Sequence, residues 1–251
     1  MQQEKISVAV ILLHPHCNMF CNFCVTEEDF STMTFEQAEA LLQHLEEKDI
    51  HNIVIGGGEP FYWPHDVLQY TRLAKERGFF VQVGTNGVAL PKGFENIQTI
   101  DRYVLPLESD NDEIHNGMRF YNKTHHAIIL DRLETLKKAR RSVTLSTVIT
   151  QTNIGDLENL ALYLKTYNQP YHTLHAWHLY QFIPLGKGGL PNAHFLKPPV
   201  GDYERVCRKI KKMDLGFAVY KRQDMYHSKT VDFFWHEGER LVRGHQEVDW
   251  N

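Results

Sequence analysis

Ile6-Ser7-Val8-Ala9-Val10-Ile11-Leu12-Leu13-His14-Pro15-His16-Cys17-Asn18-Met19-Phe20-Cys21-Asn22-Phe23-Cys24 decides the fold. Its first eight residues are almost wholly apolar and rich in β-branched side chains, which predicts a short buried strand. Directly behind that strand stand Cys17, Cys21 and Cys24, three of only four cysteines in the chain. The Cys-x-x-x-Cys-x-x-Cys spacing gathers three thiolates at a strand's mouth. A structural metal site closes itself with a fourth side chain, whereas a catalytic one keeps a position open. Thiolates favour zinc, copper(I) or an iron–sulfur cluster. On a four-iron cluster, three cysteines leave one iron free for a small molecule.

The same strand-then-motif rhythm continues outward. Thr34 is an N-cap for a helix with Phe35, Ala38, Leu41, Leu42 and Leu45 at helical spacing. Residues 51–55 read as a strand that ends in Gly56-Gly57-Gly58-Glu59-Pro60, and 66–77 as a helix stopped by Gly78. Residues 79–83 form a third strand, ending in Gly84-Thr85-Asn86-Gly87. Strands follow at 100–107, 143–149 and 174–183, alternating with helices at about 125–140 and 156–166. The sixth strand runs into Pro184-Leu185-Gly186-Lys187-Gly188-Gly189. Such alternation implies right-handed crossovers and a parallel sheet. Six units fall short of the eight of a closed barrel. The expected fold is therefore α/β, a partial (β/α)6 TIM-like barrel, with its ligands at the carboxyl ends of the strands.

After Gly189 the rhythm breaks, at a stretch holding Pro191, Pro198 and Pro199. A helix at 202–213, short strands at 217–220 and 231–235, and a turn at His236-Glu237-Gly238-Glu239 make a short α+β cap. The expected domains are the barrel, 1–189, and a C-terminal extension, 190–251, packed on it.

Composition narrows the function. With 251 residues, 42% of them hydrophobic, the chain can build a large core without disulfides. A net charge of −4, from 27 basic and 31 acidic residues, gives no strong sign of a nucleic-acid partner. No apolar run approaches the roughly 18 residues of a membrane span, and Met1-Gln2-Gln3-Glu4-Lys5 carries no signal-peptide pattern. Clustered cysteines in such a chain point to metal or redox chemistry in a reducing compartment, so the expected location is cytoplasmic.

Cys17, Cys21 and Cys24, with aromatic Phe23 before the last, resemble the cluster motif of the radical S-adenosylmethionine (SAM) enzymes. Gly57-Gly58-Glu59-Pro60 is similar to that family's GGEP motif, and Thr85-Asn86-Gly87 to its TNG. The resemblance spans about residues 6–189. It implies an oxygen-sensitive 4Fe–4S cluster on the three cysteines, with SAM on the fourth iron. It also implies an electron donor such as flavodoxin or ferredoxin. Phe23 would pack near the adenine, Gly57, Gly58 and Glu59 would bind the SAM ammonium, and Pro60 would complete that cofactor-binding motif. Glu108, His115 and Arg119 resemble an acid–histidine–arginine pattern for the SAM ribose and carboxylate. There Glu108 replaces the usual Asp, and Pro106 stands where Ser is common. Ser146, and Pro184 with Gly186, resemble fifth- and sixth-strand segments of the molybdopterin-cofactor-synthesis and viperin-like branch.

Cys207 stands alone on an expected helix, so the expectation is a one-cluster enzyme with a short cap, unlike the peptide-modifying enzymes that carry a cysteine-rich C-terminal domain. The substrate is then met by the barrel mouth and extension. Tyr180, Gln181, Lys187, Lys221, Arg222 and Tyr226 are the candidate substrate residues, the cations suiting a phosphate or carboxylate. The leading expectation is hydrogen abstraction from a small, nucleotide-like molecule. The alternative keeps the chemistry and changes the target to a partner protein or peptide. A third reading, from another class, is a non-catalytic binding module, either iron–sulfur or a zinc site closed by His14 or His16.

Overall fold

The computed structural model describes residues 7–26, 30–223, 228, 230–244 and 246–247. The first strand is β1 (Val8–Leu12), and the cysteine loop behind it contains a two-residue strand, β2 (Phe20–Cys21). Helix α1 (Phe35–Glu47) begins at Thr34, whose hydroxyl accepts from Gln37 N while the Gln37 side chain accepts from Thr34 N. This reciprocal capping box satisfies two otherwise orphaned donors. Next come β3 (Asn52–Gly56), α2 (Val67–Glu76), β4 (Phe80–Gly84), β5 (Arg102–Pro106) and α3 (Asp112–Met118). They are followed by β6 (Arg119–Phe120), α4 (His125–Lys138), β7 (Val143–Ile149), α5 (Leu157–Tyr167) and β8 (Leu174–Gln181). The chain then forms two single turns, α6 (Gly186–Gly189) and α7 (Ala193–Leu196), and a longer helix, α8 (Asp202–Lys211). It ends in β9 (Ala218–Arg222), β10 (Val231–Glu237), β11 (Arg240–Arg243) and β12 (Gln246–Glu247).

Ten strands form one sheet in the order β12-β11-β10-β1-β3-β4-β5-β7-β8-β9. The six strands expected from the sequence are all present, mutually parallel and adjacent. The sheet is not closed, since β9 and β12 are its two edges. The segment after Gly189 is α+β as expected, and it is built onto the sheet: β9 extends it beside β8 and β10 beside β1, both parallel. The hairpin β10–β11 turns at Gly238-Glu239. A second, two-stranded sheet pairs β2 with β6, fastening the cysteine loop to the segment after α3. The sequence carried no expectation for α3 or this ribbon, because both are shorter than the periods that announce an element.

One face of the sheet is sealed by the helices. Ile11, Ile53, Val83, Leu105, Leu145 and Trp177 are fully or almost fully buried there, together with Leu41, Tyr70, Leu133 and Leu160 from the helices. Removing one such aliphatic side chain from water contributes roughly 1.5–3 kcal/mol. The opposite face differs. Val10, Leu12, Val54, Val104, Ser146, Val148, His178 and Tyr180 alternate with the sealed positions, and all are only half-buried. A closed barrel of this class fills its interior with side chains; here those eight inner-face residues keep partial access to solvent, while Gln82, Thr144 and Ala176 on the same face are buried. Among the described residues no helix is long and apolar enough to cross a membrane.

Candidate iron–sulfur and SAM site

The cysteine loop leaves β1 and is shaped almost entirely by backbone. Gly58 N donates to His14 O (2.6 Å) and Glu59 N to His16 O (2.9 Å), laying the glycine turn after β3 directly on the loop. At Gly58 an added Cβ would lie 1.6 Å from His16 O, and Gly57 adopts φ of +121°, so neither position admits a side chain. The loop is gripped from a second direction by the turn after β8. Lys187 N donates to Thr26 O, while Gly188 N and Gly189 N both donate to Cys24 O. Asn192 Nδ2 donates to Asn22 O, and Lys187 Nζ to Pro15 O. At Gly188 a Cβ would lie 2.3 Å from Cys21 O and 2.6 Å from Cys24 N; at Gly186, with φ of +70°, it would lie 2.3 Å from the carbonyl carbon of Val25.

Cys17, Cys21 and Cys24 are half-buried and unpaired. Two are met by donors: Asn86 Nδ2 lies 3.3 Å from Cys17 Sγ, and an Arg119 guanidinium nitrogen 3.3 Å from Cys21 Sγ. Burial pushes the Cys21 thiol up to about 12 against the opposing charge of Arg119, and it raises Cys17 as well. Burial thus disfavours the free thiolate at Cys17 and Cys21, and binding of a metal by either would release its proton.

Glu59 is fully buried and its carboxylate is already committed. It accepts from the Thr85 hydroxyl (2.7 Å), Asn86 N (2.7 Å) and Phe61 N (3.2 Å). Its pKa is raised by burial, with those three donors opposing. Its structural task is to tie the loops after β3 and β4 together, with Pro60 opening the short turn Pro60–Tyr62 beside it. Asn86, so held, also donates to Asn18 Oδ1 (2.7 Å).

Glu108 is equally committed. Its Oε1 takes two bonds from Arg119 (2.7 and 2.8 Å), and its Oε2 accepts from Val148 N (2.7 Å). Asn153 Nδ2 holds its carbonyl (2.8 Å), and its N–H donates to His115 Nδ1 (3.1 Å). That last bond fixes a relay of neutral imidazoles. Because His115 Nδ1 accepts, its Nε2 carries the proton and donates to His125 Nδ1 (2.8 Å), and His125 Nε2 donates to Asn86 O (2.8 Å). Burial lowers both histidines, His125 to about 3. The stacked pair (5.0 Å) thus links the loop after β5 to the loop after β4. His125 had no sequence signal, being one of fifteen histidines at the start of an amphipathic helix.

Phe23 packs with Met118, Phe182 and Leu196, under the Arg119 guanidinium at 4.9 Å. Ser146 stands in register between Pro106 and His178 on the inner face, and its hydroxyl has no hydrogen-bond partner among the described residues. His14 donates from Nε2 to Glu59 O (2.8 Å), leaving Nδ1 buried and unpartnered among the described residues. Of the candidate substrate residues, Tyr180 and Arg222 are register partners on the inner face. Lys221 faces the other way, onto Glu204 of α8 at 2.7 Å. Lys187 braces the cysteine loop, Gln181 ends β8 opposite Ile149, and Tyr226 lies outside the described residues.

The geometry fits an iron–sulfur cluster with a small molecule beside it. Three thiols, glycine-lined backbone and an unoccupied hydroxyl meet at the carboxyl edge of an open parallel sheet. Among the described residues no three His, Cys, Asp or Glu side chains converge on one metal ion. A cluster spreads its irons, so its thiolates need not converge on a point, whereas a zinc ion requires it. His14 is also turned onto Glu59, away from closing a zinc site.

The site and fold thus define an open-barrel iron–sulfur enzyme, and comparison with known proteins supplies its family. The sequence model of the radical SAM superfamily matches residues 11–164, and the chain belongs to that superfamily. The family uses a 4Fe–4S cluster and SAM, which are this enzyme's cofactors. A Methanocaldococcus jannaschii protein described as a glycyl-radical enzyme activating enzyme is 25% identical over 184 residues, 66% of this chain and 67% of its own. A mycofactocin maturase of Mycobacterium ulcerans is 26% identical over 152 residues, 58% of this chain and 40% of its own. The fold is similar to that of Streptococcus suis SuiB crystallised with S-adenosylmethionine, at a TM-score of 0.75 and 12% identity, over 95% of this chain and 60% of SuiB. The chain therefore spans between 40% and 67% of these proteins' lengths. The two sequence relatives are described as an activating enzyme and a maturase, and the comparisons do not confirm the cofactor-synthesis and viperin-like branch expected from strands five and six.

Proposed function

We propose that this radical SAM enzyme takes its hydrogen atom from a polypeptide, either a partner protein that it activates or a peptide that it modifies. The observation carrying this reading is the unclosed sheet, whose inner face keeps a row of partly accessible side chains that an extended chain can lie along. The names of the relatives point the same way. This reverses the order of the two substrate expectations drawn from the sequence.

In this reading Cys17, Cys21 and Cys24 hold three irons. The glycine-lined turn at Gly56–Gly58 and the free Ser146 hydroxyl bind SAM, since glycines admit close backbone approach. When bound and reduced, cluster and SAM supply a 5′-deoxyadenosyl radical. The chain's own groups position and exclude. Glu59 and Glu108 brace the loops, Arg119 donates to a ligand sulfur and covers Phe23, and the imidazole relay keeps Glu108 and Asn86 in place. The electron comes from a partner such as flavodoxin or ferredoxin.

The test is isotopic. Anaerobically reconstituted protein, SAM and dithionite are incubated with deuterated polypeptides encoded beside its gene, and with a panel of nucleotides and metabolites. Deuterium should enter 5′-deoxyadenosine from a polypeptide. Transfer from a metabolite, with none from any polypeptide, would sink the reading.

A further inference from the structure

We propose that the inner face of β8 and β9 is a carboxylate-binding subsite for the polypeptide substrate, formed by His178, Tyr180, Tyr220 and Arg222. The inference rests on the polypeptide reading above and assigns that substrate a chemical handle. Strand alternation creates the patch. Trp177, Leu179 and Lys221 point to α8, where Tyr203 donates to Leu179 O (2.8 Å) and Glu204 neutralises Lys221 (2.7 Å). The alternating residues point the other way. In register His178 meets Tyr220, and Tyr180 meets Arg222.

Arg222 is the charge of the patch. Its guanidinium lies over the Tyr220 ring at 5.2 Å, and among the described residues no carboxylate pairs with it. Its backbone N–H is held by the Tyr203 hydroxyl (3.1 Å), so the strand end that presents it is anchored. His178 sits edge-on to Tyr220 (5.4 Å), with Nδ1 3.4 Å from the Tyr180 hydroxyl. Burial, then the charge of Arg222, depress His178 to about 3, so it is a neutral hydrogen-bonding group. Arg102, lower on the same face, is engaged with Ser142 (3.0 Å) and stacked on Phe80 (5.0 Å). The wall therefore offers the fork of Arg222, unpaired with any carboxylate among the described residues, with phenol and imidazole groups around it. A guanidinium fork matches a carboxylate bidentately and in charge, while a phosphate dianion would leave one charge unmatched.

The patch also stands at the right edge. Val148, Tyr180 and Arg222 form one row across β7, β8 and β9. Val148 N donates to Glu108, which holds Arg119, which donates to Cys21 Sγ. A substrate carboxylate anchored on this row lies at the carboxyl edge of the sheet, the same edge from which the cysteine loop leaves β1.

The experiment is calorimetry on reconstituted protein with SAM, using four N-acetylated tripeptides. One has a central Glu and a C-terminal amide, one is Ala-Ala-Ala with a free carboxylate, one has Gln for Glu, and one has phosphoserine. The carboxylate peptides should bind about 10- to 100-fold more weakly to Arg222→Gln than to the wild type, as loss of a charge-assisted bidentate contact implies. Arg222→Lys should recover part of that loss, and the Gln peptide should not change. The Glu and free-carboxylate arms identify which source the site prefers. Iron content and circular dichroism check folding. Tyr220→Leu, at an exposed position, is the second variant and should weaken the carboxylate peptides about 2- to 5-fold through lost stacking. Equal binding by wild type and both variants, including no binding by any of them, overturns the subsite. So does tighter binding of the phosphoserine peptide than of both carboxylates. The isotopic assay above stands or falls separately, so failure here is distinguishable from failure of the polypeptide reading.

Discussion

Gly188→Ala should leave the protein folded and unable to hold its cluster. The new Cβ would lie 2.3 Å from Cys21 O and 2.6 Å from Cys24 N, where ordinary contact begins at 3.4 Å. Both neighbours are backbone, and both belong to cysteines proposed to hold the cluster. Relief therefore requires the cysteine loop or the turn after β8 to retreat by about 1 Å, an overpacking strain of roughly 1–3 kcal/mol. That is survivable for a core of this size, and α6 lies outside the main apolar cluster. Metal sites tolerate ligand displacements of only about 0.2 Å, so a shift of this size separates the thiolates from their irons. The assay is anaerobic reconstitution with iron and sulfide analysis, beside thermal unfolding of the iron-free protein. Wild type should hold about four irons per chain and the variant well under half of that. Gly155→Ala, where a Cβ meets nothing within 4 Å, is the control and should match wild type. A Gly188→Ala protein with full iron content and an unchanged spectrum would refute the claim that this turn shapes the loop.

Glu108→Gln removes the buried partner of Arg119 and should destabilise the iron-free protein by about 3–5 kcal/mol, read by urea unfolding; a loss below about 1 kcal/mol would contradict the geometry. His115, His125 and His178 are all held below their unfolded value of 6.5. In that window the unfolded chain binds more protons, so their contribution is fully present above about 6.5 and is lost as pH falls toward 3. Urea unfolding at pH 7, 6 and 5 should show declining stability, by up to about 1.4 kcal/mol per pH unit per histidine, with a shallower slope in His178→Phe; a flat profile counts against the buried neutral imidazoles. Cys207→Ala should keep about four irons per chain while Cys21→Ala loses them, and iron loss in the Cys207 variant would implicate a residue the structure places in the core.

Much of the fold could be read from the chain because period-2 and period-3.6 patterns are long and one-sided. Strand β7 and the N-cap of α1 fall where expected. Local patterns do not announce which polar side chains face one another. Lys221 and Arg222 are adjacent and equally basic, yet only the register of β9 shows that one faces Glu204 and the other the inner face of the sheet. Glu59 and Glu108 stand at motif positions, and the sequence cannot reveal that their oxygens are already taken by Thr85, Asn86, Arg119 and Val148. Lys187 looked like a free cation because its acceptor, Pro15 O, is 172 positions away. His178 and Tyr220 become partners only across a parallel pair whose strands are separated by α6, α7 and α8.

The same long-range bracing has a consequence for biosynthesis. The loop that presents the cysteines lies near the start of the chain, yet Asn192 and Lys187, which brace it, are made 170 and 172 residues after Asn22 and Pro15. At about 5–20 residues per second, the thiols are translated roughly ten to thirty seconds before their enclosure exists. During that interval they are unfolded cysteines, open to stray metals and oxidants. Productive loading belongs to the completed polypeptide, and a chain truncated before residue 186 should emerge without a cluster even though Cys17, Cys21 and Cys24 are all present.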